Sequence, residues 1–462
     1  MSTPTSHAPP RATSQARSWA VLAVILAAEV LDLLDSTITN IAAPTIAADL
    51  DGGEPLIQWL GAGYALSLGV LLVVGGRLGD RYGRRHLFLI GLTGFTLASV
   101  ACGLAPDPGS IVVARLVQGA FGALIIPQGF GILAAVFPRD QLGKVFSVFG
   151  PVLGLSAVGG PILAGFLIEG FGWRAMFLIN ILLGGAALIA AVKLLPKDGG
   201  RPGASVDALG SAFLGAAMIG LLYGLIDGSA HGWALVPWLS MAAGLGFFLL
   251  FCRRQITAAH PLIEPSLLRN RGFTSGLLLG VAFFAAVSGL LYVLSLYLQH
   301  TMGYTPKQAA FSLAPLAAGI VIASIACHSL IGRLGRRLIF IGLLITLAGT
   351  TLALVLLSAG SPNGWAVPAA ALIIGLGMGT CFGTVYDVTI GDIDPDQSGS
   401  ASGSLAAVQQ LANAIGAAAV TTVYFQSQAD GATRSLVVVA AVVLLCCGLV
   451  WLLPRNAQQQ HH

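Results

Sequence analysis

The chain has 462 residues, of which 56% are hydrophobic and 9% charged, against about 25% charged in a typical soluble domain. Mean hydropathy is +0.86. These values exclude a soluble enzyme. The net charge of +4 is not a nucleic-acid signal, because the basic residues fall in short loops between apolar runs, where they mark topology.

The first 18 residues are polar and rich in Pro and Ser, and read as a cytoplasmic tail. The apolar run after them continues as a full span, unlike a cleavable signal. Runs long enough to cross a bilayer then follow at about 19–41, 57–76, 86–105, 110–133, 143–167, 175–195, 207–226, 235–252, 273–298, 308–330, 338–359, 366–388, 401–424 and 434–454. This predicts fourteen spans in an all-α integral membrane protein. With the N-terminus inside, 19 Lys and Arg fall on the inner side and 3 on the outer. That bias sets the orientation and places both termini in the cytoplasm.

The first span, Trp19 to Asn40, carries three carboxylates: Glu29, Asp32 and Asp35. Spaced by three, they share one broad helix face. Carboxylates in hydrocarbon are costly and face a bundle interior or a wet cavity. Such a face suits proton coupling, in which a proton and a cationic substrate compete for one negative charge. The alternative for Asp35 is a bond to neighbouring hydroxyls that only locks packing.

The loop after the second span reads Gly76-Arg77-Leu78-Gly79-Asp80-Arg81-Tyr82-Gly83-Arg84-Arg85. Its arginines anchor the inner side, but topology has no need of Asp80. An acid there can sit at another helix's positive N-terminus or pair with a nearby arginine, and either would latch the inner side. Gly76, Asp80, Arg81, Gly83 and Arg84 are therefore the candidate conformational gate. In the fourth span, Arg115-Leu116-Val117-Gln118-Gly119 places a cation inside the run. Arg115 can pair with the first-span carboxylates or snorkel to the outer interface. Gln118 lies one turn along, able to join the same network or to meet substrate.

In the fifth span, Gly150 and Gly154 form a small-residue face, and Gly160-Pro161 with Gly165 permits close approach and a bend. Further along, Gly76-Arg77-Leu78-Gly79 recurs as Gly332-Arg333-Leu334-Gly335, 256 residues on, while the first and ninth runs begin 254 apart. Two six-span halves with two spans inserted between them explain both offsets: 19–195 and 272–455 as bundles, 205–254 as the insert. Repeated halves around a midplane site are a transporter plan.

These motifs resemble the major facilitator superfamily, and specifically its fourteen-span drug:proton antiporter branch. The loop at 76–85 is similar to the superfamily's loop signature. Leu34-Asp35-Ser36-Thr37, with Asn40 and Pro44, is similar to the first-span signature of the branch. Arg115 to Gly119 matches R-x-x-Q-G. The fifth span resembles the antiporter motif, with Ala164 where one glycine is usual. Trp173-Arg174 with Phe177 and Asn180, and His260-Pro261-Leu262 with Arg269 and Arg271, also look like this branch. Two departures stand out: Arg336 occupies the second-half position of Asp80, and Glu29 and Asp32 are additional to the signature. The resemblance implies alternating access between the two bundles, with the loop latch holding the outward-facing state.

The expected function is proton-coupled export of lipophilic or cationic drug-like compounds through a monomer in the cytoplasmic membrane. A dedicated exporter of one endogenous metabolite, peptide or lipid is the alternative. Trp59, Tyr64, Tyr297, Gln299, Gln409 and Gln410 are the remaining candidates to line a substrate site, each as able to be core packing. No G-x-x-x-x-G-K-[ST] is present, so a proton gradient rather than bound nucleotide is expected to supply the energy. The six cysteines lie in apolar stretches without C-x-x-C spacing, so no metal, cofactor or nucleic-acid partner is expected.

Overall fold

In hydrocarbon each backbone N–H and C=O must be satisfied within its own segment, so long apolar runs fold as helices. The computed structural model describes residues 15–138, 141, 145, 152, 160, 162–200, 207–258, 261–263, 265–327, 330–358, 366–390, 393, 398–427 and 430–454, and among these the regular structure is helical throughout. The long helices are α1 (Gln15–Asp49), α2 (Gly53–Tyr82), α3 (Arg84–Gly103), α4 (Pro108–Val136), α5 (Ile162–Phe171), α6 (Trp173–Leu194), α7 (Ala208–His231) and α8 (Leu235–Thr257). They continue as α9 (Arg271–Leu296), α10 (Pro306–Cys327), α11 (Arg336–Ser358), α12 (Ala366–Ile390), α13 (Ser398–Gln426) and α14 (Gly431–Leu449). A π-helical turn, Tyr297–Thr301, prolongs α9.

Among the described residues, 11 helices are long and apolar enough to cross a membrane, fewer than the fourteen runs read from the sequence. The helices outside that set are α1, α5 and α13. The first is 35 residues long but carries Glu29, Asp32, Asp35 and Asn40. The described part of α5 is short. α13 opens Ser-Gly-Ser-Ala-Ser-Gly-Ser and bears Gln409, Gln410 and Asn413. Gly150, Gly154 and Pro161 lie outside the described residues.

Local signals set several helix starts. Asp107 accepts from the Ser110 amide at 3.0 Å while Ser110 Oγ accepts from the Asp107 amide at 3.3 Å, a reciprocal cap ahead of Pro108. Asp207 and Asn270 cap α7 and α9 through the amides of Gly210 and Phe273, each at 3.1 Å. Gly83, at φ +97°, ends α2 with its amide on the Gly79 carbonyl at 2.9 Å and turns the chain into α3.

Packing repeats along the chain. α2–α4, α3–α4, α3–α6 and α1–α6 touch, and so do α10–α12, α11–α12, α11–α14 and α9–α14. The second set is the first shifted by eight helices. α2 and α13 pack against each other, and α7 lies on both, bonding α13 through Thr422 Oγ1 to the Leu225 carbonyl at 3.2 Å. α8 packs on α7 and exposes Leu235, Trp238, Leu245 and Leu249. The pair therefore touches both sets of helices and also presents a lipid-compatible face. At one end, Arg254 of α8 holds Asp207 at 3.1 Å.

Ties at the helix ends define two faces. On one, Asp49 at the close of α1 accepts from the Trp173 indole at 2.9 Å and from Arg174 at 2.7 Å. Those two donors hold the Asp49 carboxyl below the usual carboxylate range. On the other, Asp198 accepts from the amides of Arg84 and Arg85 at 2.5 and 3.1 Å, at the N-terminus of α3. That second face carries the basic loop residues.

Candidate functional site

The first-span carboxylates lie in a buried network built by five helices. Asp35 is 3% exposed and Arg115 is 1% exposed. Arg115 Nη1 donates to Asp35 Oδ2 and to Gln118 Oε1 at 2.6 Å. The other oxygen, Asp35 Oδ1, accepts from Gln118 Nε2 at 2.9 Å and from Asn180 Nδ2 at 2.7 Å. Ser99 Oγ ties both amides together, accepting at 2.7 and 3.1 Å while donating to the Phe95 carbonyl at 3.0 Å. Asp35 thus receives one guanidinium and two amide donors. That compensation is what a carboxylate needs away from water.

Asp32 has a different partner, the hydroxyl of Tyr64. The Tyr64 ring also lies under the guanidinium of Arg115, 4.3 Å from centroid to Cζ, and Phe177 flanks the same cation at 5.9 Å. Gln118 and Tyr64, considered from sequence as substrate contacts, are therefore engaged with the carboxylates. Glu29 is buried against α4 beside Gly129. Its Oε1 has no hydrogen-bond partner among the described residues. The donors thin along α1: three to Asp35, the Tyr64 hydroxyl to Asp32, and none to this oxygen of Glu29.

The other candidates lie apart from this network. Trp59 packs in the apolar cluster shared by α2, α7 and α13. Tyr297 is buried in the largest apolar core, and Gln299 reaches the Ile41 carbonyl at 3.2 Å. On α13, Gln409 Oε1 accepts from the Tyr386 hydroxyl at 2.5 Å, and Gln410 Oε1 accepts from Asn413 at 3.1 Å. Both glutamines are partly exposed.

At the basic face, Asp80 pairs with Arg84 one turn on at 2.9 Å. The acid at a helix N-terminus is not Asp80 but Asp198, on α3. Arg81 lies 5.3 Å from the centroid of the Tyr82 ring. Gly76 faces Pro127 of α4 across ordinary contact distance. In the antiporter stretch, Gly160 abuts Thr37 of α1, and Gly165 faces the Lys307 backbone so closely that an added Cβ would lie 2.6 Å from Lys307 Cα. Small residues there bring α5 against the chain entering α10.

The family model of the Major Facilitator Superfamily matches residues 25–417. The chain belongs to this superfamily. It is 40% identical to a probable actinorhodin transporter of Streptomyces coelicolor, across 92% of this chain and 77% of that protein. Similarity to the tetracenomycin C resistance and export protein of Streptomyces glaucescens is 33% identity, over 88% and 76%. The multidrug resistance protein Stp of Mycobacterium tuberculosis is 28% identical, over 84% and 73%. Among solved structures, a POT family transporter in complex with 5-aminolevulinic acid superposes with TM-score 0.71 at 14% identity, over 96% and 97% of the two chains. The human organic anion transporter TETRAN gives 0.63 at 16% identity, over 96% and 100%. At those identities the likeness is one of fold. The protein is a multi-pass membrane transporter, not an enzyme.

Within this major facilitator chain, the residues whose roles sequence reading missed are Ser99, Asn180, Tyr386 and Asp198. The sequence offers Asn180 only as part of the resemblance, although a lone Asn in an apolar run is itself a signal of a polar partner inside the bundle.

Proposed function

We propose that this transporter exports lipophilic, cationic or amphipathic drug-like compounds in exchange for protons. In this reading fourteen spans form two six-helix bundles, α1–α6 and α9–α14, joined by the insert α7–α8. The bundles rock about a midplane site. The basic face is cytoplasmic by the distribution of Lys and Arg, so both termini are inside, the face of Asp49 and Trp173 is outside, and the membrane is the plasma membrane. A proton gradient drives the cycle and a monomer performs it.

The observation that carries the reading is the falling number of donors along α1. Asp35, with a guanidinium and two amides, is built to hold a negative charge throughout the cycle. Asp32 and Glu29 have fewer groups to stabilise that charge, and a proton or a substrate cation can supply what is missing. Proton and substrate then compete for the same carboxylates, which is antiport. Arg115 holds Asp35 in place and, through Tyr64, touches the environment of Asp32. Gln409 and Gln410 on α13, with Trp59 and Tyr386, are the groups left to contact substrate; Tyr297 and Gln299 serve packing and closure.

The test is proton release from detergent-purified protein on adding ethidium. Release in the wild type that vanishes in Asp32→Asn or Glu29→Gln supports the reading. Ethidium binding without proton release sinks the coupling. A second reading, a dedicated exporter of one compound, is favoured by the relatives named for single antibiotics. Efflux of a panel of unrelated dyes from cells separates the two, since a dedicated exporter moves none or one.

A further inference from the structure

Toward the face of Asp49 and Trp173, α1 and α9 meet through a few polar contacts. The hydroxyl of Tyr292 on α9 donates to Asn40 Oδ1 on α1 at 2.5 Å. Tyr292 reaches α1 only because position 61 of α2 has no side chain: a Cβ on Gly61 would stand 1.6 Å from Tyr292 Oη. One turn beyond Ser295, Gln299 donates to the Ile41 carbonyl at 3.2 Å and to Ser295 Oγ at 3.0 Å. Three helices from both ends of the chain thus converge on one phenol, and the next donor along α9 engages the adjacent carbonyl of α1.

Backbone irregularities fall on both partners at this point. Gln299 sits in the π-helical turn Tyr297–Thr301. Such a turn re-aims side chains relative to a regular helix and recurs at functional positions. Opposite it, Pro44 lies inside α1. Proline has no N–H for the carbonyl four residues back, here that of Asn40, so α1 is least braced where it carries the two acceptors. Nearby, Glu169 on α5 accepts from Thr305 Oγ1 at 2.7 Å and pairs with Lys307 at 3.6 Å, a second tie across the same face. The contacts of Tyr292 and Gln299 join neutral groups. Such bonds are strong enough to bias a conformation and weak enough to break in each cycle.

We propose that Tyr292, seated on Gly61 and bonded to Asn40, is the latch that shuts the outer end of the transporter, with Gln299 on the Ile41 carbonyl as its second bolt. Outward release of substrate breaks both bonds together. The assignment of this end as outer comes from the orientation proposed above; the latch itself is independent of which ion drives transport.

The test places a reporter thiol at Ser36, one turn inward of Asn40 on α1 and partly buried. Ser36→Cys is labelled with a membrane-impermeant maleimide from outside in intact cells, and from the cytoplasmic side in inside-out vesicles. Parent protein without the reporter is subtracted as background. Tyr292→Phe removes only the hydroxyl, and Gly61→Ala expels the ring from its seat. Each is expected to raise outside labelling about threefold to tenfold, the effect of one such bond on an open–closed equilibrium, and to lower inside labelling. A structural defect alone would reduce the amount of protein without shifting labelling from one side to the other. Should Gly61→Ala fail to fold, Tyr292→Phe carries the test. Outside labelling that stays level or falls in the folded variants overturns the proposal.

Discussion

The guanidinium of Arg115 lies 4.3 Å from the ring centroid of Tyr64, and the hydroxyl of the same tyrosine donates to Asp32. One side chain therefore touches both the fixed cation of the Asp35 pair and the neighbouring carboxylate, Asp32. Tyr64→Phe keeps the ring under Arg115 and deletes only the bond to Asp32. A hydrogen bond to a charged acceptor contributes about 1.5–3 kcal/mol, so Tyr64→Phe is expected to lower the melting temperature modestly and to cut proton-driven dye efflux per folded protein about tenfold or more. Tyr64→Ala also removes the cation–π contact and should lower the melting temperature as well. Equal efflux by Tyr64→Phe and wild type would remove Tyr64 from coupling.

Asp35 and Arg115 should behave as a unit in stability. Removing one partner of a buried ion pair leaves an uncompensated charge and costs about 3–5 kcal/mol. Asp35→Asn or Arg115→Gln alone should thus lower the melting temperature and the yield of monodisperse protein. The double variant Asp35→Asn/Arg115→Gln removes both charges and should recover most of that loss while remaining inactive. A double variant no more stable than either single one would show that the two charges do not pair in the membrane.

Asn180 and Ser99 tune the same pair without charge. Asn180→Ala removes one of the two amide donors on Asp35 Oδ1 and leaves Ser99 with one. The expected cost is about 1–3 kcal/mol, the penalty for a buried acceptor left short of a partner. Ser99→Ala loosens the two amides but leaves Asp35 with all its donors, and should cost less. The order of the two melting temperatures, read from detergent unfolding curves, checks the arrangement.

Much of this was legible in the sequence for a simple physical reason. Charges in apolar runs are expensive, so Asp32, Asp35 and Arg115 announce themselves by composition alone. What stayed hidden is who meets whom. Asn180 lies 145 residues from Asp35, and no spacing rule links positions on different helices. Tyr64 reads from sequence as a substrate candidate because an aromatic ring can meet a lipophilic cation, pack in a core or anchor an interface; only the structure places its hydroxyl on Asp32. The insert was opaque for a related reason. Apolar over most of their length, α7 and α8 give little sign in sequence of which face packs, whereas the contacts of α7 with both α2 and α13 answer that directly.

The two acids of the basic face should separate by experiment. Asp80 and Arg84 are a partly exposed pair one turn apart, with side chains 44% and 37% exposed. Such pairs contribute at most about 1 kcal/mol, so Asp80→Asn should leave the yield and melting temperature of purified protein unchanged. If the loop latches the cytoplasmic side, efflux nevertheless falls. Asp198 caps α3 through two backbone amides, and loss of a cap costs about 0.5–2 kcal/mol. Asp198→Ala should therefore lower the melting temperature, and efflux in proportion to the folded protein that remains. Thermal unfolding and dye efflux measured on both variants decide the matter: stability lost in Asp80→Asn, or efflux lost beyond the folded fraction in Asp198→Ala, would exchange the two roles and move the latch from the α2–α3 loop to the chain leaving α6.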